Sequence, residues 1–337
     1  RIPLFIAIFQ SRDCYAFAGF NKARMLGKTA NGLFWMYRYL ERAENTARLI
    51  ETGERIAITR LEDRDEEWNS VLQSGGVLDA YFQVNETVSK DAAINWMLRS
   101  KDNPSSVLCC IETARHNARL VRTAITGEVW EATNAAYMDA RSLLTRRVNE
   151  RDLPKVLRSL RQGTALVRGM THGTMMRNEV YDFARIGTFL ERADNTARIL
   201  DVKYYVLLPS AGSVGSSIDN VQWESILRSL SARGGFRMEY GHGAGPKEIT
   251  QYLVLDKRMP RSLAFCASKL CDNLRYLHGG QRKQLPSFKQ VNLLEQKYLK
   301  HDIEAIFDFG LHEFVQEILD QLRQISTQVE IDFRFYE

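Results

Sequence analysis

Apolar residues recur at steps of three and four along several long stretches of the chain. Leu33, Met36, Leu40, Ala43, Ala47 and Ile50 make one face of a helix. Phe183, Ile186, Leu190, Ala193, Ala197 and Leu200 repeat that face at the same spacing, and Val107, Ile111, Ala114, Ala118 and Val121 give a third. Near the end, Phe307, Leu311, Phe314, Ile318, Leu322, Ile325 and Val329 form a further stripe, with Gly310 interrupting its start. Alanines in the middle of the first three stripes let helices approach closely, because a methyl group fills little of the gap between axes. Strand-like alternation is almost absent. Polar or glycine-rich segments at 73–76, 208–219, 240–246 and 279–287 read as loops. The pattern predicts an all-α protein, a bundle of about ten helices given ~11–12 residues in an average helix.

The polar positions between the stripes carry a second message. Leu40-Glu41-Arg42-Ala43-Glu44-Asn45-Thr46-Ala47-Arg48 returns 150 residues later as Leu190-Glu191-Arg192-Ala193-Asp194-Asn195-Thr196-Ala197-Arg198, with one exchange, Glu44 for Asp194. Trp68 to Ser74 matches Trp223 to Ser229 at an offset of 155. Pro104, Ser106, Cys110, Asn117 and Arg119 match Pro260, Ser262, Cys266, Asn273 and Arg275 at an offset of 156. Three landmarks in one order, with an offset that drifts by a few residues, indicate a tandem duplication. Two copies of so long a unit are not a solenoid, whose periods run from roughly 20 to 50 residues. The expected organisation is a single domain over 25–337, built from pseudo-equivalent halves at about 31–150 and 178–300. A C-terminal helix at about 302–334 would pack across them. Residues 1–24 precede Met25 and are expected to be an extension outside the core fold. Pro104 and Pro260 are placed at helix first turns, with Asn103 as an N-cap for the first, and Pro154 is expected to break or to begin a helix.

Composition narrows the classes without choosing one. Of 337 residues, 45% are apolar, enough for a sizeable core, and the net charge of +5 is too mild to argue for nucleic acid. The five cysteines form no CxxC, and the six histidines give no HExxH spacing. Free thiols in a reducing cytoplasm are expected, with neither cofactor nor metal. No apolar run approaches the ~20 residues needed to span a bilayer.

The repeated motif holds the candidate chemistry. Glu41, Glu44 and Arg48 lie at i, i+3 and i+7, one stripe about 100° from the apolar face. Glu191, Asp194 and Arg198 duplicate it. One reading is a set of helix-surface salt bridges worth ~0.3–0.5 kcal/mol each. The other is a semi-buried network crossing between the repeats, in which Arg48 and Arg198 pair with acids of the opposite helix. A weaker echo at 111–120 adds Glu112 and Arg119, with Arg115 where the other copies have an acid. A ferritin-like dimetal site wants a Glu-x-x-His on each of two helices, and neither repeat supplies the histidine. His172 and Arg177 fall in a segment, Met170 to Arg177, that reads either as an anion- or substrate-contacting turn or as a plain connector between halves. Arg147, Arg151, Lys155, Arg158 and Arg161 line a basic face, solvated or available to an acidic protein. Tyr240 to Lys247 lacks Walker spacing and is expected to be a flexible loop.

The run from Met25 to Arg48, with Asn103-Pro104-Ser105-Ser106, His172-Gly173-Thr174-Met175, Leu190 to Arg198 and Pro260-Arg261-Ser262, resembles the bacterial alpha-E family. The likeness covers about residues 25–330. It implies a helical protein that partners ATP-grasp amide-bond ligases of circularly permuted type, often beside transglutaminase-like proteins, in peptide synthesis or modification. It supplies no catalytic residue to carry over. The function expected is an accessory helical subunit of such a cytoplasmic system, bound to neither nucleic acid nor membrane. The alternatives are an enzyme using paired carboxylates between the repeats, and a plain helical scaffold.

Overall fold

The computed structural model describes residues 27–57, 64–207, 217–241, 245–279, 284–300 and 302–336. The extension at 1–24, most of the 208–219 loop and His242 lie outside the described residues. Among the described residues the chain is entirely helical, in fifteen helices rather than about ten. The first half holds α1 (Gly27–Ala57), α2 (Arg64–Ser74), α3 (Leu78–Phe82), α4 (Lys90–Arg99), α5 (Val107–Leu120), α6 (Gly127–Leu143) and α7 (Leu153–Thr174). The second holds α8 (Glu179–Leu207), α9 (Ser217–Ser229), α10 (Arg233–Tyr240), α11 (Pro246–Val254), α12 (Leu263–His278), α13 (Pro286–Tyr298), α14 (Ile303–Phe309) and α15 (Leu311–Asp332).

The additional helices are short. α3, α10 and α14 have five, eight and seven residues, too few turns for a 3.6-residue period to stand out. Gly310, at φ +105, separates α14 from α15, so the C-terminal stripe belongs to two helices and Phe307 is exposed. The 170–177 segment is not a turn either: α7 runs through to Thr174, leaving 175–178 to join the halves.

The two long helices α1 and α8 pack directly on each other and form the middle of the molecule. Their alanines Ala43, Ala47, Ala193 and Ala197 are all buried. The two approach closely at Gly187, where an added Cβ would run into the Phe34 carbonyl. Around this pair the neighbours are reciprocal. α5 packs on α1 as α12 packs on α8; α7 packs on α1 as α15 packs on α8; and α9 reaches across to α1 as α2 reaches across to α8. α15 therefore stands to the second half as α7 does to the first.

Local chemistry repeats as well. Ser106 and Ser262 cap α5 and α12 by accepting from the N–H groups of Cys109 and Phe265, and each hydroxyl donates to a carbonyl six residues back. The cap of α5 is thus Ser106 and not Asn103. Asn103 instead bridges the preceding turn, accepting from the Ser105 N–H and donating to the Trp96 carbonyl. Pro154 does sit in the first turn of α7, where its missing N–H costs nothing.

Candidate functional site

Glu41 and Arg42 are neighbours in sequence, so on a helix they point about 100° apart and cannot pair with each other. Across the α1–α8 contact they can reach the other repeat, and both copies do. Arg192 grips Glu41 with two parallel bonds, Nε to Oε1 at 2.9 Å and Nη2 to Oε2 at 3.0 Å. Arg42 grips Glu191 in the same way, Nε to Oε1 at 2.5 Å and Nη2 to Oε2 at 3.1 Å. Each Glu-Arg step clasps the Glu-Arg step of the other half, and two-pronged pairs of this kind fix orientation as well as adding energy.

The surroundings of the two clasps differ. Beside Glu41, Glu44 receives Arg48 from its own helix at 3.0 and 2.7 Å, the Thr164 hydroxyl at 3.1 Å, and Arg168. Arg261, from the turn before α12, lies 3.0 Å from Glu41 and donates to Glu44 at 2.7 Å and to Asn45 Oδ1 at 3.2 Å. Arg48 Nη1 ends on the Ser229 carbonyl at 3.0 Å and the Ser231 hydroxyl at 2.8 Å. Four guanidiniums thus enclose two carboxylates that are each 1% exposed. Burial opposes ionisation of Glu41, but Arg192, Arg261 and Arg168 together outweigh it and hold the carboxyl well below the usual range. Burial, and the neighbouring Glu41 charge, oppose the same outcome at Glu44, where Arg261, Arg168 and Arg48 prevail. Arg261, buried among other cations, is pulled down to about 10.

On the Glu191 side the packing is open. Burial resists the charge on Glu191, and Arg42 and Arg38 overcome it, lowering the carboxyl to about 2. Arg38 donates to Glu191 at 2.9 Å and to the Ser326 hydroxyl on α15 at 2.6 Å. Asp194 is held by Arg198 alone, at 2.6 and 3.4 Å. Next to them lies a cavity of about 390 Å³, bounded by α1, α8, the end of α2, the turn before α5, and α15. Arg38, Arg42, Asp194, Asn195, Arg198 and Ser105 are among its walls. Asn195 is 7% exposed, and its Nδ2 has no hydrogen-bond partner.

The sequence-predicted residues therefore separate. Glu41, Glu44 and Arg48 join one buried network; Glu191, Asp194 and Arg198 border the cavity. Arg48 and Arg198 pair with acids of their own helices, so within the repeated motif the cations that cross to the opposite acids are Arg42 and Arg192. Glu112 and Arg119 belong to neither cluster. α5 buries Val107, Cys110, Ile111, Ala114 and Ala118, which turns Glu112 and Arg119 to solvent. His172 stands in the last turn of α7, with Nε2 2.7 Å from Arg185 and Nδ1 2.8 Å from the Tyr181 hydroxyl. Partial burial, with Arg185 and Arg177 nearby, lowers it to about 4, so the ring is neutral, accepts from Arg185 and donates through Nδ1. Arg177 lies over the Tyr181 ring and donates to the His172 carbonyl at 2.7 Å. These contacts hold the junction of the halves together. Of the basic face, Arg161 pairs with Glu51 at 2.6 Å, while Arg147, Arg151, Lys155 and Arg158 are exposed. Sequence reasoning overlooked Arg38, Arg168, Arg192 and Arg261 as partners. The repeated Glu-Arg step signalled Arg192; nothing marked Arg168.

Among the described residues no group of three or more His, Cys, Asp or Glu side chains is arranged to hold a metal ion. No helix there is long and apolar enough to cross a membrane.

Comparison with known proteins gives one family. The model of Alpha-E, described as a predicted alpha-helical domain with a conserved ER motif, matches residues 25–333. An uncharacterised protein of Mycobacterium bovis is 23% identical over 312 residues, which cover 87% of this chain and 35% of that protein. An uncharacterised protein of Mycobacterium tuberculosis is 22% identical with the same coverage. The chain thus spans about a third of the length of the curated relatives it matches. No solved structure matches it.

Proposed function

The chain belongs to the Alpha-E family, and on that premise we propose that it is an accessory helical subunit of a cytoplasmic ATP-dependent peptide-ligation or peptide-modification system. Its partner in this reading is an ATP-grasp amide-bond ligase, with a transglutaminase-like protein as a second associate. The observation that carries the accessory role is the state of the carboxylates. A general acid or base works best with a pKa near the operating pH. Glu41 and Glu44 are depressed and enclosed by arginines, and Glu191 is lowered to about 2. Groups so committed hold the halves together and are poor proton carriers. This counts against an enzyme built on paired carboxylates.

Two further observations favour a partnered role. The matched region makes up 35% of the mycobacterial relatives, so the helical unit occurs there joined to additional chain. Arg147, Arg151, Lys155 and Arg158 present an exposed basic face on which an acidic protein surface can dock.

The test is a tagged pull-down from the native host, read by mass spectrometry. Recovery of an ATP-grasp ligase, lost when Arg151, Lys155 and Arg158 are changed to Glu, is the expected result. Turnover of a peptide-like substrate with ATP by the purified chain alone would overturn the reading.

A further inference from the structure

The duplication shows what the cavity lacks. At the offset of 156 that relates Ser106 to Ser262, the position of Arg261 corresponds to Ser105. Matching the buried faces of α7 and α15, Val156 with Phe314, Leu157 with Val315, Leu160 with Ile318 and Val167 with Ile325, puts Arg168 opposite Ser326. Two arginines that close the Glu41–Glu44 side are thus serines on the Glu191–Asp194 side, and both serines line the cavity. A third difference is at the end of α2. Ser231 and Gly76 correspond at an offset of 155 and share a left-handed backbone, φ +54 and +66. Ser231 accepts from Arg48, whereas Gly76 has no hydroxyl to offer Arg198.

The consequence is a set of unused polar groups around one space. Among the described residues, Arg38 Nη2, Arg42 Nη1 and Arg198 Nη1 have no acceptor, because each arginine bonds only through its other nitrogens. Asn195 Nδ2, buried at the same wall, has no partner. Asp194 Oδ1 accepts only a 3.4 Å bond, where its counterpart Glu44 takes the Arg261 guanidinium at 2.7 Å. Donors without acceptors call for an anion. An acid that has lost its arginine calls for a cation. Asn195 Nδ2 is the buried member of this set, and a buried donor is rarely left without an occupant.

We propose that the cavity binds a basic amino acid, free or at a peptide terminus. Its guanidinium or ammonium group replaces Arg261 over Asp194, and its carboxylate accepts from the unused Nη groups of Arg38, Arg42 and Arg198. The closed side already holds four guanidiniums about two carboxylates, so this framework accommodates a fourth cation, and the ligand's carboxylate offsets the added charge. The assignment deepens the peptide-ligation reading but rests on the cavity of this chain alone.

The experiment is titration calorimetry of the purified full chain with L-arginine and L-lysine. Agmatine, which lacks the carboxylate, and inorganic phosphate, which lacks the cation, serve as half-ligands. One basic amino acid is expected to bind at one site per chain, about tenfold or more tighter than either half-ligand, as the loss of a charge-assisted bond implies. Ser105→Arg, which copies the closed half, should abolish binding while circular dichroism stays unchanged. Should Ser105→Arg not fold, Asp194→Asn replaces it and should weaken binding at least about tenfold. Phosphate binding as tightly as the amino acids would identify a plain anion site and overturn the proposal, as would no binding by either amino acid. The ligase pull-down can succeed or fail independently, because this measurement needs no partner.

Discussion

Glu41→Gln and Glu191→Gln remove equivalent charges from the two halves, and their costs should differ. Glu41 is 1% exposed, and the side chains of Arg192, Arg261 and Arg168 beside it are 11%, 8% and 20% exposed. The amide would leave these three cations and Arg48 around a single carboxylate, Glu44. Removing one member of a buried ion pair costs about 3–5 kcal/mol, because the survivor remains desolvated. Crowding by like charges places Glu41→Gln toward the upper end. Glu191→Gln leaves Arg38 and Arg42, whose side chains are 13% and 27% exposed and border the cavity. Water there can solvate them, so the cost should fall to about 2–3 kcal/mol. Urea unfolding followed by tryptophan fluorescence and circular dichroism measures both, with an unchanged slope showing that the change is in stability. Adding Arg192→Gln to Glu41→Gln should destabilise by less than the sum of the two single changes, with a coupling of about 0.5–3 kcal/mol. The reasoning is refuted if Glu41→Gln falls within about 1 kcal/mol of the parent, or if Glu191→Gln is the costlier change.

The acid limb of stability should follow from the same carboxylates. Their folded values lie below the unfolded glutamate value of about 4.3, so they contribute fully above it and lose that contribution as pH falls toward about 2; Glu191→Gln should make the loss between pH 4.3 and 2 shallower, and an unchanged slope would contradict it. His172, lowered to about 4, should stay neutral through pH 5 in a proton NMR titration, and because the unfolded chain takes up the proton first, stability should fall as pH drops from about 6.5 to 4; a ring titrating near 6.5 would remove the basis for its neutral role. Two glycines on long helices should behave oppositely. Gly187→Ala forces α1 and α8 apart at Phe34 and should cost about 1–3 kcal/mol or more, whereas Gly169→Ala on α7 meets nothing within 4 Å and should raise stability by about 0.5–1 kcal/mol, both read from thermal unfolding.

Much was legible in the residues alone. Periodicity located α1, α5, α8 and α15, because a long amphipathic helix repeats its apolar step often enough to stand above composition. Helices of five to eight residues had no such repetition, and Gly310 split what read as one stripe. The duplicated Glu-Arg motif announced that its two copies matter, since identical polar residues 150 positions apart are not needed for helix formation. The choice of partners was not legible. Spacing of four suggested Glu44 with Arg48 and Asp194 with Arg198, and those pairs exist, yet within the motif the acids of the opposite half are reached by Arg42 and Arg192. Arg168, Arg261 and Ser326 arrive from segments 120 or more residues away, and no local pattern encodes such an approach. The echo at 111–120 kept the motif's spacing, but its helix turned Glu112 and Arg119 outward.

The chain's own pattern settles its helical class, its duplication and the apolar faces, because those depend on residues within a few turns of one another. Which half closes over its acids and which keeps a cavity was decided by packing between distant helices. An arginine or a serine at Arg261 and Ser105 is unremarkable in a turn, and becomes consequential only once folding sets it against a buried carboxylate.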